Sequence, residues 1–295
     1  MKLKKGVSVI IPVYNAEKFI EKCIATLTLQ SLKDIDYIFI IDKNTTDSSL
    51  QILNKLTQNM NNIQIVSPTL GSGLGYNRNI GLKYVEREYI GYIDADDCIS
   101  KNFYEKLYSY AKKYNADIAM SNTIVISDKK ELYYYTNNNF KIIDNISDMY
   151  VNMPYSSVWN KIYKTELIQN NSLIRFMEGV FHEDNLFTLY ALYYTNKLLL
   201  VPDVNYFWIR NNNSITQNPK NKQKIITDGK IVFETILKIV SELNMSQKEK
   251  YTVIQHNINC YAKYILQEKK YSDILYEQII KIIGEDYTNI IRSNL

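Results

Sequence analysis

Over the first 121 residues, short apolar runs alternate with apolar stripes of helical period. Val7 to Val13 is an apolar, β-branched run, and Phe19, Ile20, Cys23, Ile24 and Leu27 then recur at i, i+3, i+4 spacing, so a strand followed by a helix is predicted. Tyr37 to Ile41 repeats the buried-strand pattern, and Thr46 or Asp47 can cap a helix carrying Leu50, Leu53 and Leu56 on one face. Ile63 to Val66, Tyr89 to Ile93 and Asp117 to Met120 are further strands, separated by helices over Gly75 to Val85 and Phe103 to Tyr114. Strands that alternate with helices of this length predict a mainly parallel sheet covered on both faces.

After residue 121 the alternation stops. Short strand-like pieces and Asn-rich turns (Asn137 to Asn139, Asn211 to Asn213) predict an α+β middle region to about residue 217. Segments 222–242, 248–268 and 271–292 have helical period with Ile, Leu and Tyr faces, which makes 218–295 a helical C-terminal extension. The expected division is therefore an α/β half over 1–121, a second half of the same domain over 122–217, and the extension.

The length of 295 residues fits about two domains, or one α/β domain with an appended segment. Lys and Arg exceed Asp and Glu by 35 to 31, too small a surplus over this surface to point to nucleic acid. Cys23, Cys98 and Cys260 are odd in number and far apart with no CxxC pair, which argues against a disulfide framework or zinc site and for a reducing compartment. Ser8 and Pro12 interrupt the first apolar run, no small-residue cleavage site follows it, and no window approaches the ~20 apolar residues of a membrane span. The expected location is cytoplasmic, with peripheral contact on the inner face of a membrane as the alternative.

Candidate chemistry concentrates where strands end. Asp94, Asp96 and Asp97 form the run DADD directly after the Tyr89 to Ile93 strand, at the end of a parallel strand where open α/β sheets place ligands. Three crowded carboxylates repel unless a cation sits among them, and hard oxygens suit Mn²⁺ or Mg²⁺. A solvated acidic loop is the plain alternative. Glu183 and Asp184 precede the amphipathic run Leu186, Phe187, Leu189 and Tyr190, where carboxylates also favour a helix N-terminus.

The ordered segments SVIIPVYNAEKFI, IIDKNTTDS, GLGYNRNIGL and YIDADD resemble the VSVIIPxYN, VDDGSTD, GxxxARNxG and FxDxDD motifs of family 2 glycosyltransferases, which have the GT-A fold. VWNKIYK, FHEDNLF and NYFWIRNNNSIT resemble that family's WNKLYK, GEDxxF and aromatic-Arg-SIT segments, so the resemblance spans residues 6 to 217 and leaves the helical tail outside. It implies a nucleotide-sugar-binding α/β half, an α+β acceptor half, and an inverting, metal-dependent transfer of a hexosyl or N-acetylhexosaminyl group. The donor would be a nucleoside diphosphate sugar, and the acceptor a glycan or lipid-linked saccharide of capsule, lipooligosaccharide or another surface polysaccharide. By the same resemblance Pro12 and Tyr14 line the base, Asp42 accepts from base or ribose, and Arg78 faces the diphosphate. Asp94 approaches the ribose or a metal-bound water, Asp96 binds Mn²⁺ or Mg²⁺, Asp184 is the catalytic base beside Glu183, and Trp159 and Lys161 line the acceptor cleft.

Each assignment has a plainer counterpart: Tyr14 covering the sheet edge, Arg78 and Lys161 as surface cations, and Trp159, Tyr206, Trp208 and Arg210 as packing. His182 is a third metal ligand or phosphate contact, or structural, whereas His256 is expected to be structural and without a partner. The chain departs from the pattern at Lys43, where the family has a second acid placed against N3 of uracil. An ammonium has no acceptor, so either Lys43 swings outward or the base is cytosine or guanine. Two competing classes are a sugar nucleotidyltransferase, which needs a Gly-rich loop that PVYNAEKF lacks, and an inactive carbohydrate-binding module, against which DADD and ED argue. The tail, with twelve Lys or Arg against nine Asp or Glu, is expected to cap the catalytic domain, dimerise, or rest Lys222, Lys224 and Lys230 on an anionic membrane.

Overall fold

The computed structural model describes residues 2–127, 132–135, 139–153, 156–210, 214, 218–265 and 269–293. The Asn-rich turns at 137–138 and 211–213 and the 215–217 end of the SIT segment lie outside them.

Chain order in the α/β half is β1 (Lys4–Val13), α1 (Ile20–Thr28), β2 (Ile35–Ile41), α2 (Ser49–Thr57), β3 (Ile63–Val66), α3 (Leu74–Gly81), β4 (Arg87–Tyr92), β5 (Cys98–Ile99) and α4 (Phe103–Tyr114). Then come β6 (Ile118–Ile126), β7 (Leu132–Tyr135), β8 (Lys141–Ile143), α5 (Ile146–Val151), β9 (Lys161–Lys164), α6 (Thr165–Asn170), α7 (Asp184–Tyr193) and β10 (Leu198–Ile209). The tail comprises α8 (Lys222–Glu242), α9 (Gln247–Ile265), α10 (Lys269–Ile283) and α11 (Glu285–Ser293).

All described strands belong to one sheet whose main path is β3-β2-β1-β4-β9-β6-β10-β5. The first four strands on this path are parallel, so the carboxyl ends of β1, β2 and β4 share an edge. β9 inserts antiparallel between β4 and β6, and that reversal brings its first residue, Lys161, to the edge where β4 ends. The Asp117 to Met120 strand thus joins the sheet through β9 and not directly beside β4.

Alternation along β1 and β2 explains why these strands are apolar throughout. Val7, Val9, Ile11, Tyr37, Phe39 and Ile41 face a core shared with α1 and α4, while Ile10, Ile38 and Ile40 face a second core on the other side. The second core continues into the tail: Phe233 and Ile236 of α8, Val253 and Ile254 of α9, Ile279 of α10 and Ile291 of α11 are buried in the same cluster as Ile10 and Tyr92. One apolar face of each tail helix is therefore packed against the rest of the chain, while Ile231, Ile274 and Ile290 stay exposed. The single helix expected over 271–292 is broken at Gly284, whose φ of 84° is a left-handed conformation open to glycine at little cost.

Candidate active site

At the shared carboxyl edge, β1 runs out into Tyr14, whose side chain is 56% exposed and free to offer a ring face. Asn15, at φ 46°, turns the chain and accepts from the Thr46 amide, while Asp47 accepts from the amides of Glu17 and Ser49. The loops after β1 and β2 are thereby laced together beneath Tyr14. Pro12 is buried inside β1, opposite Ile40, and supports this edge from within instead of lining a surface.

Asp42, at the end of β2, is buried and already committed. Its Oδ2 accepts from the Gly73 amide at 2.6 Å and from Asn77 Nδ2 at 2.7 Å, and its Oδ1 from the Asn44 amide at 2.9 Å. It holds the start of α3 against β2, which corrects the expectation of a carboxylate turned toward base or ribose. Lys43 donates to the Leu70 carbonyl at 2.5 Å and so ties the end of β2 to the loop before α3.

Arg78 shows the largest departure from expectation. It is 2% exposed and bridges two carboxylates, Nη1 to Glu183 Oε1 at 2.5 Å and Nη2 to Asp94 Oδ1 at 2.7 Å, with its guanidinium over the Phe176 ring. A guanidinium enclosed in this way cannot face a diphosphate; it joins α3, β4 and the start of α7 into one unit. Gly75 makes the approach feasible: a Cβ there would lie 2.4 Å from the Met177 carbonyl oxygen and 3.2 Å from Glu183 Cβ.

The DADD carboxylates separate by role. Asp97 is buried and accepts from Tyr206 Oη at 2.6 Å and the Ile209 amide at 2.8 Å, anchoring β10, and burial followed by the charges of Asp96 and Asp94 drives its pKa well up. Asp94 gives one oxygen to Arg78 and remains partly exposed, and Asp96 is half-buried beside it. Among the described residues no three His, Cys, Asp or Glu side chains converge closely enough to hold a metal ion by themselves. One or two carboxylates completed by substrate phosphates is the ordinary way of holding Mg²⁺ at nucleotide sites, and Asp94 and Asp96 fit that mode.

Asp184 opens α7, half-buried, with the buried Glu183 as the preceding cap residue. Burial raises the pKa of both above the usual carboxylate range, while Arg78 pulls each back. Asp184 thus keeps its charge in a setting that favours taking up a proton, which is what a general base needs.

Lys161 and Trp159 were expected to line a cleft. Instead Lys161 is fully buried, donating to the Ser157 carbonyl at 2.6 Å and Asn160 Oδ1 at 2.7 Å, and burial lowers its pKa to about 7 against the opposing charge of Asp184. Trp159 stacks on Tyr206 at 4.2 Å within the core. Arg210 caps the Trp208 ring. His182 adopts φ 64°, and its carbonyl accepts from the Asn185 amide as the chain turns into α7. His256 was expected to have no partner, but its Nε2 lies 3.1 Å from Ser156 Oγ and its ring packs edge-on against Tyr150. Neither Asn77 nor Tyr206 was singled out as a site residue for contacts of this kind; in sequence each is a polar group inside an apolar or glycine-rich segment.

The family model of glycosyl transferase family 2 matches residues 8–175, more than half of the chain, and includes the ends of β1, β2 and β4 while leaving α7 and β10 outside. The chain belongs to glycosyl transferase family 2. It is 28% identical over 208 residues to a poly(ribitol-phosphate) beta-glucosyltransferase of Bacillus spizizenii, covering 69% of this chain and 32% of that one. It is also 28% identical over 286 residues to a cholesterol galactosyltransferase of Borreliella burgdorferi, covering 90% of this chain and 73% of the relative. The chain thus spans about a third of the Bacillus enzyme's length. Staphylococcus aureus TarS 1-349, solved in complex with UDP-GlcNAc, superposes with a TM-score of 0.77 at 19% identity, over 97% of this chain and 83% of that one. The fold is GT-A, and the structural match extends into the helical tail that the family motifs leave out. No described helix is long and apolar enough to cross a membrane.

Proposed function

We propose that this family 2 member transfers a hexosyl or N-acetylhexosaminyl group, with inversion, from a nucleoside diphosphate sugar to a hydroxyl of a glycan or lipid-linked saccharide during surface-polysaccharide assembly. The observation that carries the reading is the meeting of an exposed aromatic (Tyr14), a phosphate-side carboxylate pair (Asp94, Asp96) and a carboxylate of raised proton affinity (Asp184) on one sheet edge. Relatives named for glucosyl, N-acetylglucosaminyl and galactosyl transfer support it.

In this mechanism Tyr14 stacks on the base. Asp42 and Lys43 act on the donor indirectly, by fixing the start of α3 and the 67–73 loop. Asp96, with Asp94, would hold Mn²⁺ or Mg²⁺, which when bound would supply positive charge to stabilise the departing diphosphate. Asp184 takes the proton of the acceptor hydroxyl as it attacks the anomeric carbon from the face opposite the diphosphate. Arg78 holds Glu183 and Asp94 so that base and phosphate side keep their separation. A uridine donor is the favoured class, and a UDP-GlcNAc-bound structure of the same fold supports it. A panel of UDP-, CDP- and GDP-sugars assayed for release of nucleoside diphosphate with Mn²⁺ tests the reading; no turnover of any sugar nucleotide, with or without saccharide acceptors, overturns it.

A further inference from the structure

In the segment leading into Asp184, Gly179 and His182 both have positive φ, at 78° and 64°, and Glu178 and Gly179 are exposed. Its two ends are held from within the catalytic half, where the Met177 amide donates to the Glu183 carbonyl at 3.4 Å and Asn79 to Glu178 at 2.9 Å, and its middle is held from the tail. Asp228 of α8 is only 5% exposed, and its Oδ2 accepts from the Phe181 amide at 2.8 Å, three residues before Asp184. Lys224, one turn earlier, donates to the same Asp228 oxygen at 2.7 Å and to the Gly179 carbonyl at 3.1 Å, with its ammonium 5.1 Å from the centre of the Phe181 ring. Asp228 sits on the buried stripe Ile225, Asp228, Gly229, Val232, where an unassisted carboxylate is costly and persists only with partners such as these. Lys224 is therefore engaged within the protein and is not a free cation for a lipid surface.

We infer that Asp228 is a positioning residue of the active site, with Lys224 as its partner: α8 sets the height and direction of the 179–183 turn and so places Asp184 at the acceptor. The inference rests on Asp184 being the base. Three contacts on two turn positions, Gly179 and Phe181, constrain the backbone that α7 inherits, and α7 is gripped again where Thr188 Oγ1 donates to the Ser156 carbonyl, beside the Ser156–His256 contact from α9. The tail thereby becomes part of the catalytic apparatus.

The test uses the full chain and the sugar nucleotide the wild type turns over fastest. In Asp228→Ala, kcat should fall roughly 10- to 100-fold, the scale of a 1 Å misplacement, while UDP affinity measured by calorimetry with Mn²⁺ stays within about threefold, since Asp228 touches none of β1, β2 or α3. Asp228→Asn keeps an oxygen acceptor for the Phe181 amide and should recover most of kcat. Val240→Ala, a core truncation of the same helix, supplies a comparable loss of stability and should keep kcat near wild type. Equal kcat losses in Asp228→Ala and Val240→Ala, or an Asn variant as slow as the Ala variant, would overturn the inference. If Asp184→Asn is itself fully active, the base assignment fails; if Asp184→Asn is slow while Asp228→Ala turns over normally, only the positioning role fails.

Discussion

Replacing Arg78 by Met removes the one cation that separates Glu183 from Asp94 while roughly keeping side-chain volume. At about 4 Å between charge centres and an effective dielectric constant near 20, each arginine–carboxylate attraction amounts to roughly 4 kcal/mol. Most of that offsets desolvation, so the pairs are weak evidence for net stability, but removing one partner leaves uncompensated buried charge, which costs about 3–5 kcal/mol. At roughly 2–4 °C per kcal/mol for a protein approaching this size, Arg78→Met should lower Tm by about 6–20 °C at pH 8 and low salt. Glu183→Gln alone leaves Arg78 with Asp94 and should cost much less. The double variant should be more stable than the sum of the singles implies, with a coupling of about 1–3 kcal/mol. The pH dependence has a fixed sign: Glu183 already has a raised folded pKa, so the Glu183 carboxylate orphaned in Arg78→Met is neutralised as pH falls, and the deficit should shrink toward pH 5. Thermal unfolding of the four proteins at pH 5 and pH 8 reads this directly. A deficit below about 1 kcal/mol, or singles that add within about 0.5 kcal/mol, would refute the assignment of Arg78 as the electrostatic link between α3, β4 and α7.

Three further outcomes follow from the same geometry. Turnover should show an acid limb well above the ordinary aspartate pKa of about 3.9, because burial raises Asp184 and activity needs it deprotonated; Lys161→Met removes a charge that lowers the Asp184 pKa and should move the limb to higher pH. Excess EDTA should abolish transfer and Mn²⁺ restore it, with Asp96→Asn losing most activity at unchanged Tm; full activity in EDTA would remove the metal from the mechanism. UDP should bind more tightly than CDP or GDP by calorimetry with Mn²⁺, because Lys43 is tethered to Leu70 and does not offer its donors to the base; a tenfold preference for CDP, about 1.4 kcal/mol, would show the reverse.

The parallel half was legible in the sequence where burial alone decides. Phe103–Tyr114 and Ile63–Val66 fall where the apolar period places them, because each packs one simple face. The order of strands was not legible, since β9 enters antiparallel through contacts set by tertiary packing, and the burial of Trp159 against Tyr206 and of Lys161 among Ser157 and Asn160 likewise depends on partners distant in sequence or on the local turn. The site was half legible: adjacent residues such as DADD and ED announce a charge cluster, but the Arg78–Glu183 pair spans 105 positions and leaves no local trace. Asp228 did leave one, as a carboxylate on the apolar stripe of α8, and so did Gly75, where only a missing side chain lets the α7 approach close on α3.

The central claim, that Asp184 deprotonates an acceptor at the carboxyl edge of the sheet, is tested most directly by comparing wild type with Asp184→Asn for sugar transfer and for UDP binding in Mn²⁺. The account predicts unchanged UDP affinity and a loss of kcat of at least ~10²-fold, in line with the 10²–10⁴ that general-base catalysis supplies. Normal turnover by Asp184→Asn, above all if Glu183→Gln is inactive, would contradict it and move the base to the neighbouring carboxylate.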